Sequence, residues 1–160
     1  MSHHSPDSRT LTKSAMIAAL YCALTLLLHP ISYGSVQLRA AEALTLLPVL
    51  TPAAVPGLAV GCLLANLLGG CSIIDIIFGS LTTLAAAALT RRLRAHPVLA
   101  ALPPVLLNAL VVGSILSATA RLPLLVTILW IGLGEMAACL LLGLPLLWAL
   151  NRSGLDRLLK

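Results

Sequence analysis

The sequence predicts an all-α integral membrane protein built as a bundle of six transmembrane helices. Three observations carry that prediction. Of the 160 residues, 59% are hydrophobic and 9% are charged, and the mean hydropathy is +1.04. A soluble domain carries about 25% charged residues, and a chain this short would leave much of its apolar surface in water. Apolar runs also follow one another along the whole chain, broken only by short Pro- and Gly-containing gaps. Finally, the basic residues sit in those gaps, mostly on one side of the expected bundle.

The elements follow in order. A bilayer core of about 30 Å needs roughly 20 helical residues. Helix one runs from Leu11 to Leu28 and stops at His29-Pro30, because proline disfavours helical backbone in the residue before it. The run ends in HPISYG, not in a small-residue cleavage site, so it reads as a retained helix and not a signal peptide. A PISYG turn or re-entrant segment leads to a short helix two, Gln37 to Leu47, ended near Pro48. Helix three spans Ala53 to Leu68 and stops at Gly69-Gly70. Ser72 is placed to cap helix four, which reaches Leu93. Helix five covers Pro97 to Ala118 and helix six Pro123 to Leu150. Residues 1–10 read as a disordered cytoplasmic tail, 11–151 as one substrate-binding transmembrane domain, and 152–160 as a basic cytoplasmic tail.

Charge sets the orientation. With six spans, Arg9, Lys13, Arg91, Arg92, Arg94, Arg152, Arg157 and Lys160 fall on one side, and only Arg39 and Arg121 on the other. The excess of Lys and Arg in cytoplasmic loops then places both termini in the cytoplasm of a multi-pass cell-membrane protein. The net charge of +5 is explained by topology and calls for no nucleic acid.

The function classes narrow by what is missing. There is no GxxxxGK[ST] loop for ATP, no HExxH or GxSxG, and no metal-spaced His/Cys cluster. Cys22, Cys62, Cys71 and Cys139 form no CxxC pair and read as small buried hydrophobes. An enzyme is not expected, nor any cofactor or metal bound by this chain.

Ionisable and amide groups inside a membrane are expensive and usually face a bundle interior or a cavity. Here they are Gln37, Arg39 and Glu42 on helix two, Asn66 on helix three, Asp75 at the start of helix four, Asn108 in helix five and Glu135 in helix six. Glu135 lies near the midplane, about twelve residues into its helix at 1.5 Å per residue. Most of the group falls in the outer half and could line one pocket open to the outside. Tyr33 could cover such a pocket and Trp130 could stack on a flat ligand. Each has a structural alternative: Asn66 and Asn108 as interhelical glue, Arg39 as a partner of Glu42 or of lipid headgroups, Asp75 as a helix cap. Ala15, Ala19 and Ala23 recur every four residues on helix one, a small-residue face that permits close contact with a partner helix.

Five stretches carry a resemblance. PISYGSVQLRAAEALTLLP, PGLAVGCLLANLLGG, DIIFGSLTTLAAAL, LPPVLLNALVVG and GLGEMAA, in this order and spacing, resemble the queuosine-precursor substrate-capture (S) components of energy-coupling factor transporters. In this chain Ala40 and Ala41 stand where the family often has Val-Ser before Glu42. The resemblance implies a six-helix bundle that captures a 7-deazaguanine, such as 7-aminomethyl-7-deazaguanine, from outside. It implies a transmembrane coupling protein of the EcfT type, docked at Ala15, Ala19 and Ala23, and two ATPase subunits of the EcfA type that hydrolyse ATP. The expected substrate residues are Tyr33, Gln37, Arg39, Glu42, Asn66, Asp75, Asn108, Trp130 and Glu135. The rival readings are the same architecture with another vitamin or purine-like ligand, and an autonomous proton-coupled carrier using Glu135.

Overall fold

The computed structural model describes residues 8–28 and 39–155. Among these residues every regular element is helical. Helix α1 is Ser8–Leu27. Helix α2 is a 3-10 helix, Ala40–Val49. Helix α3 is Ala54–Leu68. Helix α4 opens with a π-helical turn, Asp75–Gly79, and continues as Ser80–Arg92. Helix α5, Pro97–Ala120, and helix α6, Leu124–Ser153, complete the set. Three of them, α1, α5 and α6, are long and apolar enough to cross a membrane, while α2 and α3 are shorter apolar helices.

Boundaries shift by a few residues from the sequence expectations. Helix α1 starts at Ser8, inside the stretch expected to be tail, and α6 runs on to Ser153. Helix α2 begins at Ala40, not at Gln37, which brings Glu42 into its first turn instead of a turn and a half inside. The expected PISYG turn, with Tyr33 and Gln37, lies outside the described residues.

The larger surprise is where α2 sits. Residues 41–48 are all buried, so this short helix has no outer face. A helix that is apolar all round belongs in the middle of a structure. It packs against α1, α3, α4 and the later part of α6. Its closing carbonyls, which no residue of the helix can pair, are met from outside: Arg91 donates from Nη1 to Pro48 O at 3.0 Å and to Val49 O at 3.1 Å. Arg91 is therefore a structural clamp on the end of α2.

Close packing is achieved with small residues, because lipid offers apolar surfaces no reason to avoid it. The tightest crossing is α1 on α3. A Cβ on Gly57 would sit 2.7 Å from Ser14 O, and one on Gly61 would sit 2.9 Å from Ala18 O and from Tyr21 Cβ. Gly57 and Gly61 form a GxxxG pair in PGLAVG. Ser14 Oγ adds a bond to Ala53 O at 2.8 Å. Gly143 of α6 does the same service at α2, facing Leu46 Cδ1 and Ala43 O.

Hydroxyls buried in α4 are satisfied without water. Ser80, Thr82 and Thr83 donate to the carbonyls four residues back, of Ile76, Phe78 and Gly79. The outer surface is studded with exposed Leu, Ile and Val, among them Leu27, Ile73, Leu125 and Leu141. Trp148 is exposed near the end of α6, with the Arg152 guanidinium 5.0 Å from its ring centroid.

Candidate functional site

Among the described residues, two carboxylic side chains are buried in the bundle, and each is held by one neighbour. Glu42 enters because α2 is central. It is 1% exposed, and its Oε1 accepts the hydroxyl hydrogen of Tyr21 from α1. Tyr21 is itself fully buried. Below it, Thr25 Oγ1 donates to Tyr21 O at 2.9 Å. The backbone at Glu42 is also fixed: its carbonyl accepts Thr45 Oγ1 at 2.5 Å and the Cys139 thiol at 3.8 Å.

Glu135 enters from α6. It shares the inward face of that helix with Thr127, Ile131, Gly134 and Ala138, all buried. That spacing is the apolar stripe of an amphipathic helix with a carboxyl group set into it. Its Oε1 accepts Asn108 Nδ2 at 3.0 Å, from α5. Asn108 opens a π-helical turn, Asn108–Val112, and α6 has another at Ala138–Gly143. Single π turns inside α-helices often accompany functional sites.

The two acids belong to one region. Cys139 stands one turn beyond Glu135 on α6 and touches the Glu42 carbonyl and Thr45 Oγ1. Arg39 is 8% exposed at the start of α2. Two oxygens complete the picture. Among the described residues, Glu42 Oε2 and Glu135 Oε2 are buried and have no hydrogen-bond partner. A buried acceptor left unpaired costs about 1–3 kcal/mol, more when it is charged.

Other expected site residues have partners of their own. Asn66 is buried, but its amide is already engaged: Nδ2 donates to Asp75 O at 3.3 Å and to Cys62 Sγ at 3.6 Å, and Oδ1 accepts the Cys71 thiol at 3.9 Å. It ties the end of α3 to the π turn of α4. Asp75 caps α4 with Ser72: the Ser72 hydroxyl donates to Asp75 Oδ2 at 2.7 Å, and Asp75 N donates to Ser72 Oγ at 3.1 Å. That pairing runs through the Ser72 hydroxyl alone and engages one carboxylate oxygen at the helix start. Trp130 is 49% exposed and flanks the buried stripe of α6, about 140° around the helix from Glu135. Ala15, Ala19 and Ala23 are exposed together along α1. Tyr33 and Gln37 lie outside the described residues.

Tyr21, Thr45 and Cys139 were not anticipated. A signal for Tyr21 existed: it falls between Ile17 and Thr25 at four-residue spacing, on the side of helix one away from the three alanines. None of the four cysteines is in a disulfide, and no group of His, Cys, Asp and Glu among the described residues could hold a metal.

No curated protein and no solved structure matches this chain. A family model described as QueT transporter matches residues 11–152, nearly its whole length. The chain therefore belongs to the QueT transporter family, the queuosine-precursor transporter family that its sequence resembles.

Proposed function

We propose that this membrane protein is the substrate-capture component of an energy-coupling factor importer and that its cargo is 7-aminomethyl-7-deazaguanine. The observation that carries the reading is the pair of unpartnered buried oxygens, Glu42 Oε2 and Glu135 Oε2, each on a carboxyl group already oriented by one donor. Such a pair suits a ligand rich in hydrogen-bond donors.

The deazaguanine edge has a carbonyl oxygen next to a ring N–H and an exocyclic amine. The Asn108–Glu135 pair presents a donor next to an acceptor. One amide hydrogen of Asn108 is used on Glu135, and the other is free by valence to meet the ring carbonyl. Glu135 then accepts the neighbouring ring donors, and Glu42 accepts the aminomethyl ammonium in a charge-assisted bond.

The six-span topology, with both termini cytoplasmic, rests on the basic residues, which concentrate at Arg91–Arg94 and at the two ends of the chain. Capture from outside follows from that orientation. The chain has no nucleotide-binding loop, so uptake is assigned to an EcfT-type coupling protein and two EcfA-type ATPases, with α1 docking through Ala15, Ala19 and Ala23.

Calorimetric titration of the purified protein with 7-aminomethyl-7-deazaguanine, its 7-cyano analogue, guanine and riboflavin tests the cargo. Saturable binding of the aminomethyl compound, lost in Glu42→Gln and Glu135→Gln, is expected. Unchanged binding in both variants would sink the site. Uptake by the chain alone in proteoliposomes, abolished by a protonophore, would replace the ATP-driven reading with a proton-coupled carrier.

A further inference from the structure

We infer that Tyr21 is the specificity-determining positioning residue of this site: it turns Glu42 so that the carboxylate selects the aminomethyl cation over uncharged deazaguanines. The inference rests on the capture reading above and goes beyond it by assigning the selection to a residue on α1 that touches no ligand.

The argument starts from what fixes Glu42. Its carbonyl is pinned by Thr45 and Cys139, so the backbone cannot swing. Its side chain is then governed by Tyr21, whose hydroxyl can only donate to one oxygen and thereby leaves the other, Oε2, without a partner among the described residues. Tyr21 has little freedom of its own. It is fully buried, its Cβ meets the bare face of Gly61, and Thr25 holds its carbonyl. A rigid phenol therefore decides which way a central acid points. Pre-orienting an acceptor in a water-poor site makes its bond to a cation stronger than the bond of a carboxylate free to rotate. A 7-cyano group offers no donor and no charge, so it gains nothing from Glu42 in either orientation.

The test is a calorimetric comparison of the aminomethyl and cyano compounds on four full-length proteins: the unsubstituted chain, Tyr21→Phe, Glu42→Gln and the double variant. Losing a hydrogen bond to a charged group predicts that Tyr21→Phe weakens the aminomethyl compound roughly tenfold or more. The cyano compound should change by less than about twofold, and in the Glu42→Gln background Tyr21→Phe should cost little, because interacting residues are non-additive. Equal weakening of both compounds, or the same penalty in both backgrounds, makes Tyr21 a packing residue and overturns the inference while leaving the capture reading intact. An unsubstituted chain that binds neither compound overturns the capture reading, and this inference with it.

If Tyr21→Phe does not stay folded, fluorine spectroscopy replaces it. The chain has two tyrosines, so incorporated 3-fluorotyrosine gives two resonances, and Tyr33→Phe assigns them. The Tyr21 signal should move in Glu42→Gln and again on saturation with the aminomethyl compound. A signal that moves in neither case rules out the role.

Discussion

Replacing Gly61 with alanine probes the link between packing and the site. The added Cβ would lie 2.9 Å from both Ala18 O and Tyr21 Cβ and 3.1 Å from Ala18 Cα. Ordinary contact begins at 3.4 Å, so α1 and α3 must part by about 0.5 Å. None of the three atoms is the far end of a flexible side chain, so no rotamer change removes the clash. A gap of that size forfeits about a quarter of the attraction of every atom pair along the crossing. Overpacking of this kind costs about 1–3 kcal/mol. Because Tyr21 Cβ is one of the atoms struck, the phenol also leaves its place on Glu42. Gly61→Ala should therefore lower stability in a denaturant titration of the detergent-solubilised protein and weaken ligand binding in the same variant. Leu67→Ala, on the exposed surface of α3, is the control and should do neither. A Gly61→Ala protein as stable as the unsubstituted chain would refute the close approach of α1 and α3. Lost stability with unchanged affinity would refute the coupling to Glu42.

Other substitutions separate scaffold from site. Asn66→Ala should cost about 1–3 kcal/mol in the same denaturant titration, since it strips the tie between α3 and the Asp75 carbonyl, yet leave ligand affinity nearly unchanged. Arg91→Ala should cost about 1.5–3 kcal/mol by removing two charge-assisted bonds from the end of α2, and Arg91→Lys should recover only part of it. Trp130→Ala should leave calorimetric affinity within about twofold, because so exposed a side chain shares no burial with Glu42 or Glu135. A tenfold loss there would return Trp130 to the site.

The residues explain why some of this was legible in the chain and some was not. The all-helical class and the approximate helix limits follow from apolar runs and their Pro and Gly stops, which are local signals. The pairing of Asn108 with Glu135 could not be read, because it joins α5 to α6 and depends on the rotation of both helices. The same limit applies to Asn66 and Asp75. Their cost inside a membrane marks them as purposeful, but polar glue, a cap and a ligand contact all satisfy that cost equally. The centrality of α2 was also hidden. Its composition, AAEALTLLPV, resembles that of its neighbours, and only the assembled bundle shows it without a lipid-facing side. GxxxG at Gly57 and Gly61 was readable and points to the tightest crossing, whereas the alanine series on α1 marks a face that this chain leaves exposed.

That division of α1 has a mechanical consequence. One side of the helix carries Ile17, Tyr21 and Thr25 into the bundle, and the other exposes Ala15, Ala19 and Ala23. A partner gripping the alanine side acts on a helix whose inner side holds Glu42. The α1–α3 crossing is too tight to compress, since backbone already meets backbone-bare glycine at Gly57 and Gly61. Any partner-driven motion of α1 must therefore carry α3 with it or lift the Tyr21 hydroxyl away from Glu42. The first leaves the site intact during reorientation, and the second loosens its grip on a cation. Tyr21 fluorine shifts recorded with and without the proposed coupling protein distinguish the two, because only the second returns the signal to the position it takes in Glu42→Gln.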